Sequence, residues 1–267
     1  MFEILVQEMK LRNFSPRTID AYLYYNKMFL DYVKISPREV SSDKIREFLL
    51  HLQEKYYSTS SINLAHNALN FYYGNLLHKR TKNISFMKRE NTIKDILSKE
   101  EIRLLLENTS NPKHKLMVGM LYATGIRVSE LVKLKPERID WERKMVLVKS
   151  GKGRKDRYTI LSDKIMIEIK TYIDSYPPSN YIFSDNGPLS VRTVQIILKE
   201  AARKAGIKKS VHPHLLRHSF ATHLMESGAK MEHIQQLLGH TDIRTTQQYA
   251  RVTNKHLLGI RSPHEDL

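Results

Sequence analysis

Two arginine-centred clusters, one lysine between glycines, one histidine after a glycine and one late tyrosine hold the chemistry-bearing side chains of this sequence. In Thr124-Gly125-Ile126-Arg127-Val128-Ser129-Glu130-Leu131, Arg127 follows a helix-stopping glycine, and Glu130, three residues on, is placed to fix its guanidinium fork. In Val211-His212-Pro213-His214-Leu215-Leu216-Arg217-His218-Ser219-Phe220-Ala221-Thr222-His223, Pro213 suits a first helical turn, so His214 and Arg217 share a face. A planar cation and an imidazole converging on one point make a phosphate clamp. His214, His218 and His223 also admit a metal reading, because histidines four apart can share a zinc. No glutamate follows the first histidine as in a zincin helix, and no third ligand stands out. Lys152 sits in Ser150-Gly151-Lys152-Gly153-Arg154, with Lys149, Lys155 and Arg157 nearby. This stretch lacks the GxxxxGK[ST] pattern and the strand-to-helix junction of a P-loop. His240 follows Gly239 and Tyr249 comes nine residues later; among 14 tyrosines it is undistinguished by itself.

The elements that must position these groups are mainly helical. Ser15-Pro16 reads as an N-cap and first-turn proline, Ser41-Ser42-Asp43 opens a second helix, and Ser58-Thr59-Ser60-Ser61 precedes a third apolar stripe through Tyr72-Tyr73. About four helices form a compact first domain, residues 1–82. Lys79, Arg80, Lys82, Lys88 and Arg89 then crowd a stretch with little periodicity, read as a solvated linker over 83–94. Ser98-Lys99-Glu100-Glu101 is a capping box that starts the second domain, residues 95–267. There, a helix past Pro112 stops at Gly125, and Met145-Val146-Leu147-Val148 and Tyr158-Thr159-Ile160-Leu161 flank the glycine-containing turn as a β-hairpin. The fold class expected is mainly α, an N-terminal helical domain plus a helix-rich second domain with a small antiparallel β-sheet.

Composition narrows the partners. Against 28 acidic residues stand 44 Lys and Arg, a formal net charge of +16 over 267 residues. Residues 1–90 hold 14 basic and 9 acidic side chains and the remainder 30 and 19, so the excess covers both halves rather than a tail. Such a whole-body excess suits a polyanion, because each phosphate neutralised by Lys or Arg releases counterions. The absence of cysteine excludes disulfides, a thiol nucleophile and thiolate metal sites. Glu3 and Glu8 and the lack of a long apolar run at the start argue against a secretory signal. The longest nearly apolar segment, residues 116–126, is shorter than the ~20 residues of a bilayer span. The expectation is a cytoplasmic protein with no membrane partner.

Taken together, Thr-Gly-Ile-Arg127-Val-Ser-Glu-Leu, Gly-Lys152-Gly, His214-Leu-Leu-Arg217-His-Ser-Phe-Ala-Thr-His, Leu-Leu-Gly-His240 and Tyr249 resemble the active site of the tyrosine recombinases, the phage-integrase-type enzymes. The likeness spans nearly the whole chain. Ser15-Pro16-Arg17-Thr18-Ile19-Asp20-Ala21-Tyr22 followed by Phe29 resembles the family's core-binding domain, and the two-domain length is most similar to the Xer-type resolvases of chromosome dimers. After the tyrosine this chain has Ala250-Arg251, where many relatives carry Thr-His.

The resemblance implies that Tyr249 attacks a DNA phosphodiester, leaving a 3′-phosphotyrosyl link and a free 5′-hydroxyl, and that a second 5′-hydroxyl then displaces the tyrosine. The bonds exchanged have similar energy, so neither ATP nor another cofactor is implied. A phenol with a pKa of about 10 costs roughly 4 kcal/mol to ionise at neutral pH, which nearby cations must offset. Arg127, Arg217 and His240 would hold the non-bridging oxygens, Lys152 would protonate the departing 5′-oxygen, and His214 would assist proton transfer at the tyrosine. The implied partners are a double-stranded DNA recombination site and further copies of the chain, four on two sites, with the amphipathic tail of residues 252–260 exchanged between subunits; an activating protein is a further partner. Residues around Val191-Arg192-Thr193-Val194-Gln195 and the first-domain helices after Thr59 are candidates to enter DNA grooves, with Arg and Gln reading bases. Alternatives to dimer resolution are a mobile-element integrase of the same chemistry, a catalytically silent DNA-binding relative and a metal-dependent nuclease using the histidines.

Overall fold

The computed structural model describes residues 2–79, 81, 84–88, 95–149 and 156–239. Its contacts divide the chain into two compact units, residues 1–92 and 93–267.

The first unit is helical throughout. Its helices are α1 (Glu3–Leu11), α2 (Pro16–Val33), α3 (Ser42–Glu54) and α4 (Thr59–Leu69), and α4 runs on into a π-helical segment, Asn70–Leu76. Serine caps set three of the starts: Ser15, Ser41 and Ser58 each accept from the backbone N–H three residues on, a bond worth about 1 kcal/mol. The core is aromatic, with the Phe29 ring edge-on to Phe48 at 5.2 Å and to Tyr73 at 5.4 Å. Buried Asn26 donates its side-chain amide to Tyr22 O and to Ala68 O, tying α2 to α4.

The segment after this bundle differs from the solvated linker its composition suggests. Thr81 is buried, and Ile84 and Met87 pack on the helical core. Asn63 explains why: its side-chain amide donates to Met87 O at 3.0 Å, and its carbonyl accepts from Met87 N–H at 3.0 Å. Such a two-way amide clasp satisfies a backbone that would otherwise need water. It depends on a partner 24 positions away, which local periodicity does not register.

The second unit is built around one helix. α5 (Lys99–Glu107) begins at Ser98 with the full capping box. α6 (Pro112–Thr124) is buried on nearly every side, with Leu116, Met117, Val118, Gly119, Met120, Leu121 and Thr124 all inside. That burial accounts for the apolar run of residues 116–126: a helix apolar all round belongs in a core. α7 (Val128–Leu131) leads into a three-stranded antiparallel sheet of β1 (Ile139–Asp140), β2 (Met145–Val148) and β3 (Arg157–Ile160), in that order. Val146 lies opposite Thr159 and Val148 opposite Arg157, and these four residues form the inward face. α8 (Asp163–Ser175), α9 (Val191–Lys204) and α10 (Pro213–Glu226) pack around α6, and α11 (Met231–Leu238) closes on β3 and α10. The mainly α class with a small antiparallel sheet is therefore the observed fold. Among the described residues, no helix is long and apolar enough to cross a membrane.

Candidate active site

Two helix C-termini, those of α6 and α11, supply the frame for the arginines. Gly125 stops α6 in the left-handed conformation, φ 61°, and a Cβ there would meet the Phe220 ring at 2.3 Å. Gly239 stops α11 in the same way, φ 62°. Helix ends leave carbonyls without intrahelical partners and concentrate partial negative charge. Cationic side chains occupy both. Arg217, one turn into α10 and almost fully buried, donates Nη1 to Gly125 O and Nη2 to Leu238 O, each at 2.6 Å. Arg157, the first residue of β3, donates Nε to Leu237 O at 2.9 Å. Thr159, the next inward residue of that strand, donates its hydroxyl to Thr124 O at 2.8 Å.

Glu130 joins these ends to Arg127. Arg127 is the N-cap of α7, and its backbone N–H donates to Glu130 Oε2 at 2.7 Å while its Nη1 donates to Oε1 at 3.0 Å. Arg157 grips the same carboxylate from the other side, Nη1 to Oε1 at 3.0 Å and Nη2 to Oε2 at 2.8 Å. Burial alone would raise the Glu130 carboxyl, but the hydrogen bonds from Arg157 and the Arg127 backbone, with the charges of both arginines, hold it down at about 2. Arg127 thus makes the ion pair with Glu130 that their spacing predicts, through one guanidinium nitrogen. Its side chain keeps 19% exposure, against 7% for Arg157.

The carboxylate makes a checkable contribution to stability. Its folded pKa is depressed from 4.5, so its stabilisation is complete above about pH 4.5 and is lost as the pH falls towards about 2. Glu130→Gln, which leaves a buried guanidinium without its counter-charge, is expected to cost about 3 kcal/mol at neutral pH. The gap between the two proteins in denaturant titrations should narrow steadily between about pH 4.5 and about pH 2. A gap that stays constant across that window would show that the ion cluster adds nothing to stability.

The histidines separate by position in α10. His212 is the N-cap, its ring Nδ1 accepting from Leu215 N–H at 3.2 Å, and burial lowers its pKa. His214 is exposed, second in the helix and one turn before Arg217. His218 and His223 are buried, and His223 Nδ1 shares a 2.9 Å hydrogen bond with the Tyr122 hydroxyl of α6. Nearby, Leu97 N–H donates to Ser219 Oγ, which donates to Leu215 O, fastening the chain before α5 to α10. Among the described residues, no three His, Asp or Glu side chains gather as a metal-binding group.

The structure therefore describes three of the six expected site residues. Arg217 donates to the carbonyl of Gly125, two residues before Arg127, and His214 lies one turn before Arg217 in α10. Lys152 with its hairpin turn, His240, Tyr249 and the tail of residues 252–260 lie outside the described residues. Arg157 is the residue that spacing did not single out. Its signal is a charge on the face of a strand that also carries Thr159, paired across to Val148 and Val146.

Comparison with known proteins identifies the family. Residues 95–256 match the phage integrase family, and residues 1–83 match the phage integrase N-terminal SAM-like domain. The chain is 42% identical over 258 residues to tyrosine recombinase XerA of Pyrococcus furiosus, covering 93% of this chain and 88% of that protein. Tyrosine recombinase XerD of Rickettsia bellii is 33% identical, with 89% of this chain and 90% of that protein aligned. A crystal structure of XerH bound to a palindromic difH substrate in a post-cleavage complex has the same fold, with a TM-score of 0.78 at 23% identity over 92% of this chain and 79% of that one.

Proposed function

This chain belongs to the phage integrase family and is a tyrosine recombinase, a site-specific recombination enzyme, and we propose that its reaction is carried by Arg127, Lys152, His214, Arg217, His240 and Tyr249. Tyr249 attacks a phosphodiester of double-stranded DNA; its oxygen bonds to phosphorus as the bond to the 5′-oxygen breaks. Lys152 delivers the proton that the departing oxygen needs, and His214 takes up the phenol's proton. Arg127, Arg217 and His240 donate to the non-bridging oxygens, where charge accumulates in the transition state. Reversal by a second strand's 5′-hydroxyl completes the exchange.

One observation carries this reading: Arg217 of α10 is bonded to Gly125 O at the glycine-terminated end of α6, two residues before Arg127, the N-cap of α7. Fixed guanidinium forks are suited to a phosphate, whereas a lysine, whose proton can leave, is suited to the acid. The +16 charge supports a DNA partner. The similarity to tyrosine recombinases XerA and XerD supports resolution of chromosome dimers as the biological role, with four copies acting on two sites and the C-terminal tail passing between them.

The test is covalent capture. On a target duplex nicked just beyond the cleavage point, the released 5′-ended fragment diffuses away and the protein remains linked to DNA. Wild-type protein is expected to accumulate this adduct at an undiminished rate in excess EDTA. Dependence on added magnesium would replace the proposal with a metal-assisted reaction.

A further inference from the structure

Arg157 joins three parts of the site, yet it has no place among the groups proposed to touch the phosphate. The Glu130 carboxylate accepts four hydrogen bonds, two at each oxygen: Arg127 Nη1 and Arg157 Nη1 at Oε1, Arg127 N–H and Arg157 Nη2 at Oε2. Two oxygens offer about four lone-pair directions, so the carboxylate is saturated. Arg127 therefore spends a single guanidinium N–H on Glu130, and among the described residues the rest of its fork has no protein partner. The third nitrogen of Arg157 reaches Leu237 O, and its Cδ lies 2.6 Å from where a Cβ on Gly239 would stand. Only a residue without a side chain lets the α11 terminus close down on Arg157, and the next residue in the chain is His240.

We propose that Arg157 is a positioning residue for this reaction: it occupies Glu130 so that Arg127 is held by one nitrogen and keeps the remainder of its fork for the phosphate, and it fixes the α11 terminus beside that clamp. Without Arg157, both carboxylate oxygens regain open lone pairs, and the favoured arrangement of an isolated arginine–carboxylate pair is two parallel bonds. Arg127 then turns its fork onto Glu130 and away from the substrate. A lysine at 157 restores the charge but not the function, because one ammonium cannot span two carboxylate oxygens and a backbone carbonyl in a fixed plane.

The proposal rests on the reading that Arg127 holds the scissile phosphate, and the test separates the two. Single-turnover adduct formation is measured at saturating nicked DNA for wild type, Arg157→Lys, Arg157→Gln and Arg127→Ala. Each is assayed on a normal scissile phosphodiester and on a methylphosphonate, in which a methyl group replaces one non-bridging oxygen and removes the charge. Both Arg157 variants are expected to be about a hundredfold slower on the phosphodiester, the scale of a misplaced clamp, with DNA affinity retained. On the methylphosphonate, the gap from wild type should shrink to about threefold, since no anionic oxygen remains for Arg127 to hold. Equal slowing on both substrates, or no slowing on the phosphodiester, overturns the role for Arg157. If Arg157→Gln fails to fold, Arg157→Lys, which keeps a cation beside Glu130, carries the same comparison. Arg127→Ala losing as much on the methylphosphonate as on the phosphodiester would instead remove the reading beneath the proposal.

Discussion

Tyr249→Phe is expected to leave no covalent protein–DNA adduct on a nicked target site, while the variant binds that site as wild type does. The substitution deletes one oxygen, the atom that would become bonded to phosphorus, and a phenyl ring offers no nucleophile in its place. Removing an enzyme's nucleophile costs on the order of a millionfold in rate, far below what gel detection of an adduct can follow. Binding is insulated from the change because affinity for DNA comes from many phosphate contacts, and the 44 Lys and Arg residues are untouched. The chain has 14 tyrosines, so the attachment site should also be mapped by digesting the wild-type adduct and sequencing the DNA-bearing peptide. An adduct that persists in Tyr249→Phe, or that maps to a tyrosine elsewhere, would end the assignment of Tyr249.

The parts of this molecule that were legible in the sequence are those whose causes are local. Ser15, Ser41, Ser58 and Ser98 cap helices because a short side-chain oxygen reaches the N–H three residues ahead. Gly125 ends α6 because a left-handed residue must follow, and the Arg127–Glu130 pair closes over three residues. What stayed hidden depends on partners far along the chain. In β3, apolar alternation alone would turn Tyr158 and Ile160 inward, yet they are the exposed residues, and Arg157 and Thr159 face the interior. The register is decided by Glu130, 27 positions before Arg157, and by Thr124, 35 before Thr159. Hydrogen bonds to buried helix ends here outweigh the burial of two apolar side chains, because an unmet buried carbonyl or carboxylate costs more than a partly exposed Tyr or Ile. The packing of Ile84 and Met87 onto the helical core was hidden for the same reason, a clasp of Met87 by Asn63 that no local pattern announces.

Arg217 combines both kinds of cause, which makes its replacement the second large effect. Its place in the His-x-x-Arg motif marks it for phosphate, but the structure spends two of its N–H groups on Gly125 O and Leu238 O. Arg217→Ala therefore removes a cation that bridges two helix ends, in addition to a donor to the transition state. Each buried carbonyl left unpaired costs about 1–3 kcal/mol, so a loss of about 3 kcal/mol in unfolding free energy is expected for the pair. The loss of a transition-state donor adds about a hundredfold or more in rate. Arg217→Lys separates the two consequences. An ammonium retains the charge that favours helix C-termini and can reach one carbonyl, so stability should recover in part. It cannot hold two carbonyls and a phosphate oxygen in one plane, so the rate of adduct formation should stay near that of Arg217→Ala. Measured together by denaturant titration and single-turnover capture, the two variants should differ in stability and coincide in rate. If Arg217→Lys instead regains the wild-type rate, positive charge alone suffices there, and the fixed guanidinium plane held between α6 and α11 is not what the reaction uses.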